Sequence, residues 1–174
     1  MALLRSLIFN TLFYISIILY MIAGLPVMLL PRPWIMGYAR TWSRYFVWLT
    51  ATFAGIKMEV RGREHLHPGP LLIAPGRQLI MFPEGTRRPV GAPPAYRTGI
   101  AHVYGALDVA VTPVAMNSGV FWPRRSLKLR PGTIVIEFLP EIPAGLDRDT
   151  FMKTLETAIE TTTNRLVAEA ERAS

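Results

Sequence analysis

The sequence predicts an α/β domain preceded by two helices that associate with a membrane. Three observations lead to this prediction. A long uncharged apolar stretch lies near the N-terminus, short apolar runs bounded by proline or glycine follow it, and an amphipathic helical pattern closes the 174-residue chain. Runs of that length are typical of buried strands, and the closing pattern is typical of a helix packed on a sheet.

The N-terminal stretch between Arg5 and Arg32 contains no charged residue. It is long enough to cross a hydrocarbon core of about 30 Å, so we predict a membrane helix from Leu7 to Leu30. A cleaved signal peptide is the main alternative, but its apolar region usually spans only roughly 7–15 residues. Pro26 and Pro31 would kink or end the helix, so a shallow helix held in one leaflet is a further alternative.

A second helix is predicted from Trp34 to Thr52. Arg40 and Arg44 lie one turn apart, away from a stripe of apolar residues at helical spacing: Ile35, Tyr38, Trp42, Tyr45, Phe46 and Leu49. This pattern suits an interfacial helix lying on anionic headgroups, and equally a core helix packed on the following domain. The excess of arginine after the first helix predicts that the globular part is on the cytoplasmic face.

Composition limits the functions that the chain can have. Nineteen Lys and Arg against twelve Asp and Glu give a net charge of +7, which suits nucleic acid, anionic lipid or a phosphorylated substrate. The apolar N-terminus favours lipid, and nucleic acid is not predicted because the basic residues do not lie on one continuous element. The absence of cysteine excludes disulfides and thiolate nucleophiles. No cofactor is predicted, and no metal site, because the three histidines lack ligand-like spacing with carboxylates.

The remaining elements follow from local patterns. Buried or half-buried strands are predicted at Lys57 to Val60, Leu71 to Ala74, Gln78 to Phe82, Val109 to Ala115 and Thr133 to Phe138. Helices are predicted from Thr98 to Leu107 and from Asp147 onward, with Thr98 and Asp147 as N-caps. The aromatic and basic loop from Phe121 to Arg130 is interpreted as solvated, or as lying against headgroups or a phosphorylated carrier.

The stretch with the clearest chemistry is the end of the third apolar run. Pro83 stops the run, Gly85 permits a close approach of the backbone to a ligand, and Thr86 and Arg87 supply a hydroxyl and a guanidinium. This grouping suits a phosphate, because the guanidinium fork matches phosphate geometry. A plain turn followed by solvated arginines, including Arg88, is the alternative.

The spacing before this stretch is unusual. Only Pro75-Gly76-Arg77 separates the run ending at Ala74 from the run beginning at Gln78, whereas two parallel strands need a crossover of roughly a dozen residues. The two runs therefore form an antiparallel hairpin or one bent strand, or a block between them has been removed.

Phe82-Pro83-Glu84-Gly85-Thr86-Arg87 resembles the phosphate-binding motif of the glycerolipid acyltransferases, and of the lysophosphatidate (1-acylglycerol-3-phosphate) acyltransferases in particular. Val111-Thr112-Pro113-Val114-Ala115 is similar to a later apolar motif of that family, and the similarity extends from about Leu71 to the C-terminus. The resemblance implies phospholipid biosynthesis, in which acyl-CoA or acyl carrier protein donates an acyl group to lysophosphatidate to give phosphatidate in the membrane. It also implies that Glu84, Gly85, Thr86 and Arg87 bind the substrate phosphate.

The resemblance has one large gap. In that family a catalytic histidine, followed five residues later by an aspartate, comes after the strand that matches Leu71 to Ala74. Here no histidine has an aspartate at that offset: His65, His67 and His102 are followed by Pro70, Leu72 and Leu107. The block that carries the pair is predicted to be absent between Pro75 and Gly76, and no catalytic residue is assigned.

The resulting prediction is a truncated acyltransferase-like sheet with flanking helices. Residues 1–52 would form the membrane-anchoring helices, and residues 53–174 the acyltransferase-like α/β domain. Because the base is missing, the chain as written is predicted to lack turnover. Two alternatives stay open: a non-catalytic phospholipid-binding protein, and a substitute base formed by His102 with Asp108.

Overall fold

The computed structural model describes residues 2–66, 79–86, 89–124 and 126–173. These residues form two compact units. The first comprises the chain up to Met58 together with Phe121–Thr133, and the second comprises Glu59–Val120 together with Ile134–Ser174. The first unit contains the N-terminal helices, and the second contains the candidate phosphate-binding stretch.

Two helices dominate the first unit. Helix α1 spans Ala2–Val27 and helix α2 spans Arg32–Leu49, and Pro31 immediately precedes α2. The two prolines act as expected, because α1 ends one residue after Pro26 and proline favours the first positions of a following helix. The apolar N-terminal helix that the sequence predicts is therefore confirmed.

Much of α1 faces outward although it is apolar. The part from Arg5 to Val27 has a mean hydropathy of 2.0, and only 11% of its most apolar window is buried. Of the described helices, it alone is long and apolar enough to cross a membrane. A core helix of a soluble protein would be largely buried, so the exposed apolar surface points to membrane association.

The aromatic stripe of α2 packs on α1. The ring of Tyr20 lies 5.0 Å from Tyr38, 4.6 Å from Trp42 and 6.1 Å from Tyr45, measured between centroids. After α2, a π-helical turn at Thr50–Ala54 ends at Gly55, whose φ of 69° is readily adopted only by glycine. Strand β1, Ile56–Arg61, starts directly after this glycine.

The sheet has three strands in the order β1-β3-β2, with β2 at Val114–Met116 and β3 at Gly132–Phe138. Strands β2 and β3 are antiparallel, and Ala115 lies opposite Glu137. The predicted strand from Val109 is shorter than expected, since upstream of β2 only Val111 forms a bridge, with Ile142. The α/β class predicted from the sequence is confirmed.

In the second unit, one helix packs against this sheet and a second helix packs against the first. Helix α3 spans Gly99–Leu107, helix α4 spans Ser118–Phe121 and helix α5 spans Arg148–Arg172. The rings of Tyr104 and Phe151 stack with centroids 3.8 Å apart, which joins α3 to α5. A second core cluster contains Ala115, Val135, Leu139 and Leu166 and joins the strands to α5.

The two predicted N-caps have different outcomes. The Asp147 side chain accepts hydrogen bonds from the backbone N–H groups of Asp149 and Thr150, so it caps α5 as predicted. Thr98 precedes α3, but its backbone is already helical (φ −65°, ψ −14°) and its side chain makes no capping bond. The prediction of a Thr98 cap is wrong, because a capping residue needs an extended backbone.

The prediction of a buried strand at Gln78 to Phe82 is wrong for its described part. Leu79 to Phe82 has no regular secondary structure, and Ile80 and Phe82 are 77% and 73% exposed. A strand buried on both faces needs a neighbour along each edge and a layer above and below. No strand in the described part of the chain pairs with this run. The predicted strand at Leu71 to Ala74 and the Pro75-Gly76 junction lie outside the described residues.

Candidate functional site

The candidate site is built on a tight turn from Phe82 to Thr86. The backbone N–H of Gly85 donates to the carbonyl of Phe82 at 3.0 Å, which closes the turn. Gly85 has a φ of 67°, so this position favours glycine. The turn is at the surface: Gly85 and Thr86 are exposed, while Glu84 is half-buried. A ligand can therefore reach the backbone at Gly85.

A second segment, Ala95 to Arg97, clamps this turn from the other side. The Arg97 N–H donates to the carbonyl of Pro83 at 2.8 Å, and the Ala95 N–H donates to the Glu84 carboxylate at 3.0 Å. The bond to Pro83 joins two backbone groups. The bond to Glu84 has a charged acceptor and is therefore stronger than a bond between neutral groups. The turn is thus held by contacts eleven or more residues away along the chain.

The clamping segment is itself fixed to α5 through Tyr96. Its hydroxyl lies 3.0 Å from a carboxylate oxygen of Glu160. Burial, together with the hydrogen bond to Glu160, strongly raises the pKa of Tyr96. The hydroxyl therefore stays protonated at neutral pH and donates to Glu160.

Arg97 brings a guanidinium to the turn, which sequence reasoning missed. Its Nε lies 3.3 Å from the position that a Cβ on Gly85 would occupy, so its side chain lies directly over this glycine. Arg97 is exposed and forms no ion pair with any described residue. The signal in the sequence was its place just before a predicted helix, where the N-terminal N–H groups favour anions.

The predicted site residues are found as follows. Glu84, Gly85 and Thr86 lie together in the turn, whereas Arg87 and Arg88 lie outside the described residues. Glu84 uses a carboxylate oxygen to hold the backbone of Ala95, so its visible role is to position the clamping segment. The assignment of Glu84 to Arg87 to phosphate stays a prediction.

The histidines do not form a catalytic pair in the described part of the chain. His65 ends a 3₁₀ turn, and His67 lies outside the described residues. His102 is exposed on α3, and Asp108 is the C-cap of the same helix, with its backbone N–H bonded to the Tyr104 carbonyl. Residues six apart lie on different faces of a helix, which places them poorly for a shared hydrogen bond.

Comparison with known proteins gives two matches that agree. The chain is similar to the 1-acyl-sn-glycerol-3-phosphate acyltransferase of Pseudomonas aeruginosa, with 24% identity over 171 alignment positions that cover 60% of this chain and 66% of the relative. It also resembles the crystal structure of the 1-acyl-sn-glycerophosphate (LPA) acyltransferase PlsC from Thermotoga maritima. That fold match has a TM-score of 0.71 and 15% sequence identity, and it covers 95% of this chain and 99% of the other. No family model matches the chain.

The chain is thus similar in sequence to one lysophosphatidate acyltransferase and in fold to another. This similarity agrees with the resemblance of its Phe-Pro-Glu-Gly-Thr-Arg stretch to the phosphate-binding motif of these acyltransferases. The chain spans 66% of the length of the curated acyltransferase that it matches.

The acyltransferase alignment is longer than the part of this chain that it covers. Its 171 positions include only 60% of the 174 residues, which is about 104 residues. About 67 positions of the alignment are therefore occupied by the Pseudomonas acyltransferase alone.

Proposed function

We propose that this chain is built to bind the phosphate of lysophosphatidate, as part of the acyl transfer that makes phosphatidate in phospholipid biosynthesis. The observation that carries the proposal is the clamped turn, in which an exposed backbone at Gly85 lies beneath the guanidinium of Arg97. A positive group held over an accessible glycine is a suitable place for a phosphate monoester.

Each residue of the site has a distinct role in this proposal. Arg87 supplies the main guanidinium, Thr86 a hydroxyl, and Gly85 the close approach. Arg97 adds a second positive charge, and the adjacent N-terminus of α3 adds a partial one. Glu84 is a positioning residue, because its carboxylate would repel a phosphate but holds the Ala95 backbone in place.

In the same proposal the chain consists of two parts, and the second part has an internal deletion. Residues 1–52 provide membrane-anchoring helices, and residues 53–174 provide the acyltransferase-like domain, with the block that carries the catalytic histidine and aspartate missing between Pro75 and Gly76. The alignment gap of about 67 positions supports this interpretation, because two strand-and-helix units of about 30 residues each would fill it.

The partners follow from the reaction. The acceptor is lysophosphatidate, the donor is acyl-CoA or acyl carrier protein, and the product stays among membrane phospholipids. The exposed apolar surface of α1 supports a membrane location. The arginines of α2 support placing the globular part on the cytoplasmic face.

A binding assay in detergent tests the phosphate assignment. Lysophosphatidate and a monoacylglycerol with the same acyl chain are titrated into the protein, into Arg87→Ala and Arg97→Ala, and into Arg148→Ala, which removes an exposed arginine elsewhere. We expect binding of lysophosphatidate alone, weakened by about 10-fold or more in the first two variants and unchanged in the third. Equal binding of both lipids would refute the assignment.

An acylation assay separates this proposal from the alternative of a purely non-catalytic phospholipid-binding protein. With acyl-CoA or acyl carrier protein as donor, we expect the chain as written to form no phosphatidate, because a base for the acceptor hydroxyl is missing. Turnover that disappears in His102→Ala would contradict this and would assign the base to His102. Restored turnover in a chain that carries a family block inserted between Pro75 and Gly76 would favour the deleted enzyme over the non-catalytic protein.

A further inference from the structure

The aromatic and basic segment Phe121–Thr133 belongs to the same compact unit as the N-terminal helices. Two hydrogen bonds attach it to α1. The backbone N–H of Leu129 donates to the Ser6 hydroxyl at 3.1 Å, and the Asn10 amide donates to the carbonyl of Leu127 at 3.1 Å. The segment is more than a hundred residues away from α1 along the chain.

Trp122 strengthens this attachment. Its ring lies 5.6 Å from Phe9 in an edge-to-face arrangement, and 6.1 Å from both Phe13 and Phe46. Edge-to-face and offset contacts of this kind stabilise aromatic clusters beyond the area that they bury. Trp122 therefore connects the segment to α1 and α2 at once.

The segment is also closed on itself. The Arg130 N–H donates to the Phe121 carbonyl at 2.9 Å, and the Gly132 N–H donates to the Gly55 carbonyl at 3.1 Å. The Phe121 ring lies so close to Gly132 that a Cβ at this position would clash with it. These contacts give the segment a defined shape instead of that of a freely solvated loop.

The residues that do not contact the helices face solvent. Trp122 is half-buried and Leu129 is 3% exposed, whereas Arg124, Lys128 and Arg130 are exposed and Leu127 is 60% exposed. None of these three basic side chains forms an ion pair with a described residue. The segment thus has three exposed basic side chains and one exposed leucine, Leu127.

We propose that Phe121–Thr133 is a binding surface for the headgroups of an anionic phospholipid bilayer. The inference rests on the membrane association in the proposed function. Basic residues near a bilayer are attracted to its negative surface, and an apolar side chain among them suits the boundary between headgroups and acyl chains. An acidic protein could use the same charges, but the attachment to residues 6–13 of an exposed apolar helix favours lipid.

Vesicle flotation with the full chain tests the proposal. Protein is diluted from detergent onto vesicles of pure phosphatidylcholine, or of phosphatidylcholine with about one third phosphatidylglycerol, in 0.15 M salt. The test variant is Arg124→Gln/Lys128→Gln/Arg130→Gln. The matched control is Arg148→Gln/Lys153→Gln/Arg172→Gln on α5, which removes the same charge from three exposed positions.

We expect the anionic lipid to raise vesicle binding of the unmodified protein and of the control variant. In the test variant this increase should be smaller by about 10-fold or more. Because the interaction is electrostatic, 0.5 M salt should remove the difference between the two variants. Thermal unfolding of both variants in detergent verifies that each is folded.

Three outcomes would overturn the proposal. If both variants lose the same amount, net charge alone attracts the protein, and if neither loses any, the segment does not touch the headgroups. If the test variant keeps its preference for anionic vesicles but, in a separate pull-down, loses binding to acyl carrier protein, the partner of the segment is an acidic protein. Failure of all forms to float on either vesicle would also overturn the proposed membrane association, whereas flotation without a preference leaves that association intact.

Discussion

In the proposed phosphate site, Gly85 is a position that disfavours a side chain. Its positive φ is one that residues with a side chain rarely adopt, and the Arg97 side chain lies against it. A substitution at this position therefore has two separate effects. It strains the turn, and it pushes Arg97 away from the place where we expect the ligand.

Gly91 provides a matched control for Gly85→Ala. Its φ is 78°, but a Cβ there would meet no atom within 4 Å. We expect Gly85→Ala and Gly91→Ala to destabilise the protein by a similar amount, about 1 kcal/mol each, because both force alanine into the left-handed region. Only Gly85→Ala should also weaken lysophosphatidate binding, by about 10-fold.

Thermal unfolding and lipid titration measure the two effects independently. Equal loss of binding in the two variants would show that backbone strain is sufficient, and it would remove Arg97 from the site. If lysophosphatidate binding were unchanged in both variants, the turn would not be part of the binding site.

At the scale of elements, α5 is held to the sheet by a chain of charged side chains. Arg61 lies 2.7 Å from Glu59 and 2.8 Å from Glu169, and Arg165 lies 2.6 Å from both Glu169 and Glu137. Hydrogen bonds from Arg61 and Arg165 lower the pKa of Glu169 below its ordinary value of 4.5. The pairs are largely exposed, so each contributes little and is weakened by salt.

Glu169→Gln should therefore make the stability less sensitive to acid. A carboxyl with a lowered folded pKa contributes its stabilisation above about pH 4.5 and loses it as the pH falls through the folded pKa. We expect the Tm of the unmodified protein to fall more steeply between about pH 5 and pH 3 than that of the variant. At neutral pH the variant should melt at most a few degrees lower.

Glu171→Gln is the control for this measurement, since Glu171 lies on the same helix but outside these ion pairs. A Tm that depends on pH in the same way in the unmodified protein and in Glu169→Gln would refute the contribution of Glu169. So would an effect of Glu171→Gln as large as that of Glu169→Gln.

Asn117 joins the same elements from the buried side. Its amide oxygen accepts from the Val135 N–H of β3 at 2.8 Å, its amide nitrogen donates to the Leu166 carbonyl of α5 at 3.3 Å, and the residue is 3% exposed. Asn117→Ala should destabilise the protein by about 1–3 kcal/mol, because it leaves a buried N–H without this acceptor. Chemical denaturation measures the change.

The exposed Asn164 on α5 is the matched control for Asn117. Asn164→Ala should change the free energy of unfolding by no more than about 0.5 kcal/mol. If the two alanine variants were equally stable, water would replace the Asn117 side chain at no cost, and the buried link would be unimportant.

The sequence was sufficient for elements that depend on neighbouring residues. The helices beginning near Arg32 and Arg148, the strand at Ile56–Arg61 and the Asp147 cap all follow from local periodicity and capping chemistry. The strand predicted at Gln78 to Phe82 does not form in its described part, because burial on both faces depends on partners elsewhere in the fold. Arg97 was missed for a related reason, since its place over Gly85 depends on bonds across the turn.

At the scale of the whole molecule, the proposed internal deletion predicts a mass. The roughly 67 alignment positions that this chain lacks correspond to about 7.5 kDa at the mean residue mass of this chain. If the block exists in the native protein, the intact mass from the native source should exceed 19.5 kDa by about that amount. A measured mass of 19.5 kDa would mean that the cell makes the chain without the block.

The attachment of Trp122 to Phe9, Phe13 and Phe46 also determines how the protein can be handled. Removing the first fifty residues to obtain a water-soluble fragment would expose Trp122 and Leu129, which the N-terminal helices now cover. Such a fragment would tend to aggregate through these newly exposed side chains even if it were correctly folded. A soluble fragment would therefore also need a shortened Phe121–Thr133 segment.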